Sequence, residues 1–230
     1  MSDEIRSEVA VASRVLGEAD QGDLIWGHAS LRDPAGRGAW MKRSGLGFDE
    51  VRADDVLLVA PSGEVAEGSG RRHLEYPIHT EIMAARDDVG AVVHTHAPHA
   101  VAFASLRLPL LPISHEGTLF VPPDIARFTE TGDLITTPRL GAAVATALGD
   151  RNALLLENHG IVVAEADLPT AVTTAIILDR ACALQLRALA AGPIKKWSSD
   201  EEAIAKRRNC YSPALLRAAW GYLVRSLEAN

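Results

Sequence analysis

Three histidines fall within ten residues, His94, His96 and His99 in the stretch AVVHTHAPHA at 91–100, and a fourth, His159, stands in NHG directly after the apolar run ALLLE. Residues two apart on a strand project from the same face. His94 and His96 are therefore expected side by side, about 7 Å apart along the chain. A lone histidine in an apolar strand is ordinarily a hydrogen-bonded core residue. Two on one strand face, with a third beside a glycine at the end of another apolar strand, ask for more. Burying several imidazoles without partners costs roughly 1–3 kcal/mol each, and one bound cation would satisfy them together. Three histidines with an open position are also what a catalytic zinc or similar divalent ion uses. The spacing leaves two readings, a divalent-metal site and a core strand that happens to carry imidazoles.

The elements that must hold these side chains follow from periodicity. Ile5, Val9, Ala12 and Leu16 have helical spacing, and DQGD ends that helix. Short strands are expected around Ser30–Arg32 and Ala39–Lys42, joined by the turn DPAGRG, and DVLLVAPSGEVAEG reads as a hairpin with PSG at its tip. A helix is expected from Glu75 to Arg86 with Pro77 in its first turn, then the buried strand GAVVHTH, then a helix opening at Pro98. TTPRLGAAVATALGD repeats the pattern, with Leu140, Val144 and Leu148 on one face and Gly149 as its stop. Strands ALLLE and GIVVA flank His159, a long helix runs from Asp167 to about Gly192, and the chain from Ser198 onward is helical again. Strands alternating with helices predict an α/β fold, helices covering a central sheet, with residues 1–230 as one domain.

Composition narrows the function. At 47% hydrophobic the chain can bury a full core, and its formal net charge of −7 argues against a nucleic-acid partner, which ordinarily needs a basic face. Cys182 and Cys210 offer no disulfide framework, MSDEIRSEVA lacks the apolar core of a secretory signal, and no long apolar window escapes a charge. The expectation is a cytoplasmic protein with no membrane partner. GSG at Gly68–Gly70 is too short and wrongly placed for a dinucleotide fingerprint.

Three segments carry a resemblance. GHASLR, HLEYPIHTEIMAARDDVGAVVHTHAPHAVA and ALLLENHGIVVA, in this order and at these separations, resemble the class II aldolase/adducin family from roughly residue 5 to 190. The resemblance implies a three-layer α/β/α sandwich around a mixed sheet. It also implies a C4 homotetramer with active sites between subunits. It makes His94, His96 and His159 the ligands of one divalent ion per subunit, Zn²⁺ or Mn²⁺, with Co²⁺ or Fe²⁺ as alternatives, and gives Glu75 the role of proton donor or acceptor beside it. Sugar-phosphate members usually hold phosphate with G-N-x-S, T-x-G and S-S-E loops. Here those stretches read Gly27-His28-Ala29-Ser30, Arg43-Ser44-Gly45 and His73-Leu74-Glu75, with Arg71 and Arg72 just upstream. Guanidinium groups bind flat carboxylates as readily as phosphate, so His28, Ser30, Ser44, Gly45, Arg71, Arg72 and His73 are expected to contact a small anionic substrate that need not be a sugar phosphate.

The segments WMKRSGLGFDEV, GRRHLEYPIHTEI and ISHEGTLF resemble the family's decarboxylase branch, whose substrates are hydroxylated aromatic or pyridine dicarboxylates. The implied activity is a metal-dependent carbon–carbon lyase decarboxylating such a compound through an enolate-like intermediate. Alternatives are a class II aldolase, a sugar-phosphate epimerase and a non-catalytic adducin-like binding module. His115 stands near the aldolases' catalytic tyrosine and is taken, with Glu75, as a catalytic candidate; a substrate contact and a structural role are both open for it. His79 and Glu81 are read as solvated or supporting groups, His99 as a helix cap or pocket lining, and Tyr211 as surface packing.

Overall fold

The computed structural model describes residues 2–229, with side chains to residue 227. Helix α1 (Ser2–Glu18) buries Val9, Ala12 and Leu16, the stripe its periodicity predicts. Strands β1 (His28–Arg32) and β2 (Ala39–Lys42) form a hairpin whose turn is organised by one buried carboxylate. Asp33 accepts hydrogen bonds from the backbone N–H groups of Ala35 and Arg37, from the Arg37 guanidinium and from Trp40 Nε1 at 2.9 Å. Chiefly the Arg37 hydrogen bond, aided by Trp40 and against the cost of burial, holds this carboxyl at about 2.

Next come β3 (Val56–Val59), β4 (Val65–Glu67), α2 (Tyr76–Ala85) and β5 (Ala91–Thr95). They are followed by α3 (Pro98–Ala104), α4 (His115–Thr118), β6 (Ala126–Phe128), α5 (Pro138–Leu148), β7 (Ala153–Leu156) and β8 (Gly160–Glu165). Helices α6 (Leu168–Ala191), α7 (Asp200–Cys210) and α8 (Pro213–Ala229) complete the order. The eight strands make one sheet in the order β4-β3-β2-β1-β5-β8-β7-β6. Every pairing is antiparallel except β6 with β7.

Alternation along the central strands builds two cores. Ala29, Trp40, Val93 and Val163 pack beneath α1, α3 and α6, whereas Met41, Val92, Leu154 and Val162 pack beneath α2 and α5. Each valine, leucine or methionine among them, fully buried, is worth about 1.5–3 kcal/mol. The result is the expected three-layer α/β/α sandwich around a mixed sheet. His94 shares its face with Val92, so it points into the α2 layer.

Long periodic elements fell where the sequence puts them, including α6, which opens at its Asp167 cap and stops at Gly192. Three short ones did not show: edge strand β6, the single turn α4 and a 3₁₀ turn at Ala53–Asp55. Elements of three or four residues are too brief for a period to register. Among the described residues no helix is long and apolar enough to cross a membrane.

Asp33→Ala should destabilise the protein by roughly 1–3 kcal/mol in urea unfolding, because it orphans the buried Trp40 indole N–H and removes the acceptor that organises the turn. Since the folded carboxyl titrates below its unfolded value, its contribution is complete above about pH 4 and lost as the pH falls through about 2; the variant's deficit should shrink over that window.

Candidate metal centre

Three neighbouring pieces of the sheet converge on one point. His94 leaves β5 facing α2, His96 follows one residue beyond the strand's end, and His159 sits in the tight β7–β8 turn. Asn158 takes φ +58° in that turn. Gly160 is required there, since a Cβ would stand 2.4 Å from the Thr95 carbonyl oxygen and 3.0 Å from the His96 ring. This close approach brings His159 against β5. The ring centres of His94, His96 and His159 form a near-equilateral triangle with sides of 5.0, 5.0 and 5.2 Å.

Glu75 closes the arrangement from the layer above. It occupies the N-terminal cap position of α2, with Pro77 in the first turn, and its Oε1 accepts a 2.8 Å hydrogen bond from the Ile135 backbone. Oε2 lies 3.5 Å from His94 Nε2, and Oε1 lies 3.5 Å from His159 Nε2. Burial pushes this carboxyl up, but the adjoining His159 and His94 outweigh it and hold Glu75 well below the usual carboxylate range. It is an ionised acceptor.

The far edges of two imidazoles are tied down. His94 Nδ1 donates to the Ile161 carbonyl at 2.9 Å, and His96 Nδ1 lies 3.1 Å from Asp23 Oδ2. A carbonyl and a carboxylate can only accept, so the neutral form of either ring carries its proton on Nδ1 and leaves Nε2 a lone pair for an ion. Among the described residues the buried side-chain nitrogen or oxygen atoms without a hydrogen-bond partner are His94 Nε2, His96 Nε2 and both ring nitrogens of His159. One donor atom from each of Glu75, His94, His96 and His159 falls within 4.8 Å of all the others. Donors about 2.0–2.2 Å from a divalent ion stand roughly 3.3–4.2 Å apart, so the set can close on a cation with small side-chain shifts.

Over residues 7–186 the sequence matches the family described as class II aldolase and adducin N-terminal domain. The chain belongs to the class II aldolase and adducin family. It is similar to the 3,4-dihydroxyphthalate decarboxylase of Arthrobacter keyseri, at 34% identity over 212 residues, 86% of this chain and 84% of that protein. It is also similar to the 5-deoxy-D-ribulose 1-phosphate aldolase of Bacillus thuringiensis serovar kurstaki, at 31% identity over 171 residues, 73% of this chain and 78% of that protein. The fold matches the solved L-fuculose 1-phosphate aldolase from Glaciozyma antarctica PI12 with a TM-score of 0.86 and 26% identity, covering 99% of this chain and 89% of that one.

The residues expected to contact substrate are largely engaged by the protein itself. His28 lies beside His94, with ring centres 5.1 Å apart, and beside His73 at 4.4 Å. Ser30 is fully buried and its Oγ sits 2.6 Å from His79 Nδ1. Arg72 donates to the Gly63 and His73 carbonyls and stacks 4.2 Å above Tyr76. Arg71 is exposed, and its carbonyl accepts from the Ser44 N–H beside exposed Gly45. The structure places His115 next to Cys210, Nδ1 to Sγ 3.2 Å, and not in the four-residue cluster. His99 pairs with Asp179 at 2.8 Å. Tyr211 caps α7, its hydroxyl pushed up to about 12 by burial and by Glu116.

One group escaped the sequence reading. Lys42 is fully buried at the end of β2, where its ammonium donates to the Ile25 and Leu46 carbonyls and lies 3.2 Å from His73 Nε2. Burial lowers it to about 8. The only trace in the sequence is a lysine at the end of an otherwise apolar strand, AWMK. His79, read as a supporting group, lies wholly inside, between His28 and Ser30.

Burial, aided by neighbouring charges, pushes His73 and His79 down to about 3 and His28 well below its ordinary value. The unfolded chain binds protons at these imidazoles near pH 6.5, where the folded protein does not. Folding stability of the chelator-treated protein should therefore fall as the pH drops from 7 to 5, by up to about 1.4 kcal/mol per pH unit for each histidine. His79→Phe should make the slope of stability against pH shallower by about one proton; an unchanged slope would mean His79 already charges in the folded state.

Proposed function

We propose that this protein is a divalent-metal-dependent carbon–carbon lyase that decarboxylates a hydroxylated aromatic or heteroaromatic dicarboxylate. The lyase class follows from family membership and from both curated relatives. The observation that carries the metal requirement is the set of orphaned imidazole nitrogens facing one buried carboxylate. His94, His96 and His159 would hold the ion, Zn²⁺ or Mn²⁺, with Co²⁺ or Fe²⁺ also suited to imidazole. When bound, such an ion polarises adjacent substrate oxygens and offsets the negative charge left when the carbon–carbon bond breaks.

The chain's own chemistry is proton management. Glu75, ionised at rest, accepts the proton of the substrate hydroxyl ortho to the departing carboxylate. Carbon dioxide leaves with the bond's electron pair staying on the ring, and the protonated Glu75 returns its proton to that carbon. The product phenoxide takes its replacement proton from water. The Ile135 N–H keeps Glu75 Oε1 oriented throughout.

Support for an aromatic acid over a sugar phosphate comes from the loops. Leu74 stands where phosphate-binding members usually carry a serine, His73 is engaged by Lys42, and Ser30 by His79. Arg71, four residues before Glu75 in the chain, is exposed, and its guanidinium is suited to a carboxylate. An aldolase acting on a ketose phosphate is the second reading, favoured by the similarity to the 5-deoxy-D-ribulose 1-phosphate enzyme. We further propose a homotetramer with sites between subunits; exposed Leu24, Ile25 and Trp26, which follow the Asp23 that anchors His96, supply apolar surface for such contacts.

Protein reconstituted with Mn²⁺ or Zn²⁺ should release carbon dioxide from 3,4-dihydroxyphthalate or a hydroxypyridine dicarboxylate. Cleavage of a ketose phosphate to an aldehyde without carbon dioxide release would replace the decarboxylase reading with the aldolase one. Glu75→Gln keeps the shape but cannot exchange a proton, so kcat should fall about 10²–10⁴-fold while metal content stays near normal. Near-normal turnover would make Glu75 structural, and loss of the ion would make it an obligatory ligand. Arg71→Ala should weaken substrate binding by roughly 2–5 kcal/mol if this side chain grips a desolvated carboxylate; unchanged kinetics would assign it to solvent.

A further inference from the structure

The turn that carries the anchor of His96 also carries an indole that the fold leaves unused. Asp23, Leu24, Ile25 and Trp26 form a tight hairpin turn: Asp23 and Trp26 are paired in an antiparallel bridge, and the Trp26 N–H donates to the Asp23 carbonyl at 2.9 Å. Leu24 takes φ +51° at the first corner, a place that ordinarily falls to glycine. The turn is held on both sides. Its Ile25 carbonyl accepts from the buried Lys42 ammonium at 3.1 Å, and Gly27, the next residue along, packs so closely that a Cβ there would stand 3.1 Å from the Phe48 ring and 3.4 Å from the His94 carbonyl oxygen.

Two contacts fix where Trp26 stands. Residues directly opposite in an antiparallel pair project from the same face, so the indole leaves the turn on the side of the Asp23 carboxylate, whose Oδ2 lies 3.1 Å from His96 Nδ1. The backbone that follows it passes against His94. Trp26 therefore lies at the rim of the cluster, beside two of its histidines, where the His96 side chain is still 17% exposed. The indole itself is exposed, and among the described residues it has no hydrogen bond, ring contact or overlying cation. Trp40 shows what a structural indole does in this protein: it is buried, donates to Asp33 and has Arg6 and Arg37 over its ring. A large, stiff aromatic face left open beside a polar centre is suited to stacking against another ring.

We propose that Trp26 is the platform for the substrate's ring: its indole stacks on the aromatic face of an ortho-hydroxy acid whose oxygens are turned toward the histidine cluster. The proposal rests on the metal-dependent reading above and adds to it the residue that recognises an aromatic ring as such. Asp23 and Lys42 are positioning residues here, since they hold the turn and not the ring. Leu24 and Ile25, at the two corners, are left for contacts between subunits.

The test is calorimetric binding to the Zn²⁺-loaded protein of salicylate and of cis-2-hydroxycyclohexanecarboxylate, which keeps the hydroxyl and carboxylate on a saturated ring. Each acid is compared across variants, so the intrinsic difference between the two acids cancels. Trp26→Leu should weaken salicylate by roughly 3- to 10-fold, the worth of one aromatic pair, and the saturated acid by less, with metal content unchanged. Trp26→Phe should restore most of the salicylate affinity. Trp197→Leu, which removes an indole that is also exposed, should leave both affinities alone. Unchanged salicylate binding in Trp26→Leu, equal weakening of both acids, or failure of salicylate to bind the zinc-loaded native protein would each overturn the proposal. Light scattering reads the assembly in parallel: a Trp26→Leu protein that dissociates and loses both acids alike would make the indole a subunit contact instead. The wider reading is judged separately. A Trp26-dependent salicylate affinity in a protein that releases no carbon dioxide from any acid leaves this inference standing and removes the decarboxylase reading; carbon dioxide release with no effect of Trp26→Leu on ring binding does the reverse.

Discussion

Buried imidazole lone pairs with nothing to accept are the constraint around which the rest of the molecule is arranged. Leaving a polar group unsatisfied in the interior costs about 1–3 kcal/mol, and His94, His96 and His159 together present four such nitrogens around one ionised glutamate. Further buried rings adjoin them, His28, His73 and His79, all held neutral. A neutral core would avoid that cost by using leucine at these positions. Keeping lone pairs aimed at one point is intelligible if a cation completes the site, because a single ion then takes one nitrogen from each of the three rings.

The fold serves that arrangement through its strand order. Placing β5 between β1 and β8 puts His28 and His94 opposite one another on adjacent strands and delivers the β7–β8 turn beside His96. The glycine after His159 allows the backbones to approach, and α2 begins just where its capping residue, Glu75, can reach down from the layer above. Outer hydrogen bonds from Ile161, Asp23 and Ile135 then fix which edge of each group faces inward. Metal ligands are ordinarily held in this way, by partners that set tautomer and orientation.

Much of this could be read from the sequence. Period-two alternation and helical stripes located the long elements, and the H-x-H pair with its distant N-H-G singled out side chains that the fold gathers into one cluster, because each is local or carried by a recognisable segment. What escaped depends on tertiary pairing. The Ser30–His79–His28 chain joins residues 49 and 51 apart, and no pattern in either segment announces it. Lys42 reads as an ordinary strand-end lysine until its three partners are seen, from the segment before β1, the loop after β2 and His73. His115 meets Cys210 across 95 residues of chain, a contact that neither α4 nor α7 suggests by itself.

The most direct measurement of the central claim is metal content by elemental mass spectrometry on protein purified, chelated and reloaded with Zn²⁺ or Mn²⁺. The account requires about one ion per chain in the native protein. It requires loss of that ion in His159→Ala, where two imidazoles and a carboxylate remain, and full retention in His99→Ala, whose ring is committed to Asp179. A His159→Ala protein that still carries one tightly held ion would contradict the assignment, as would native protein that binds none.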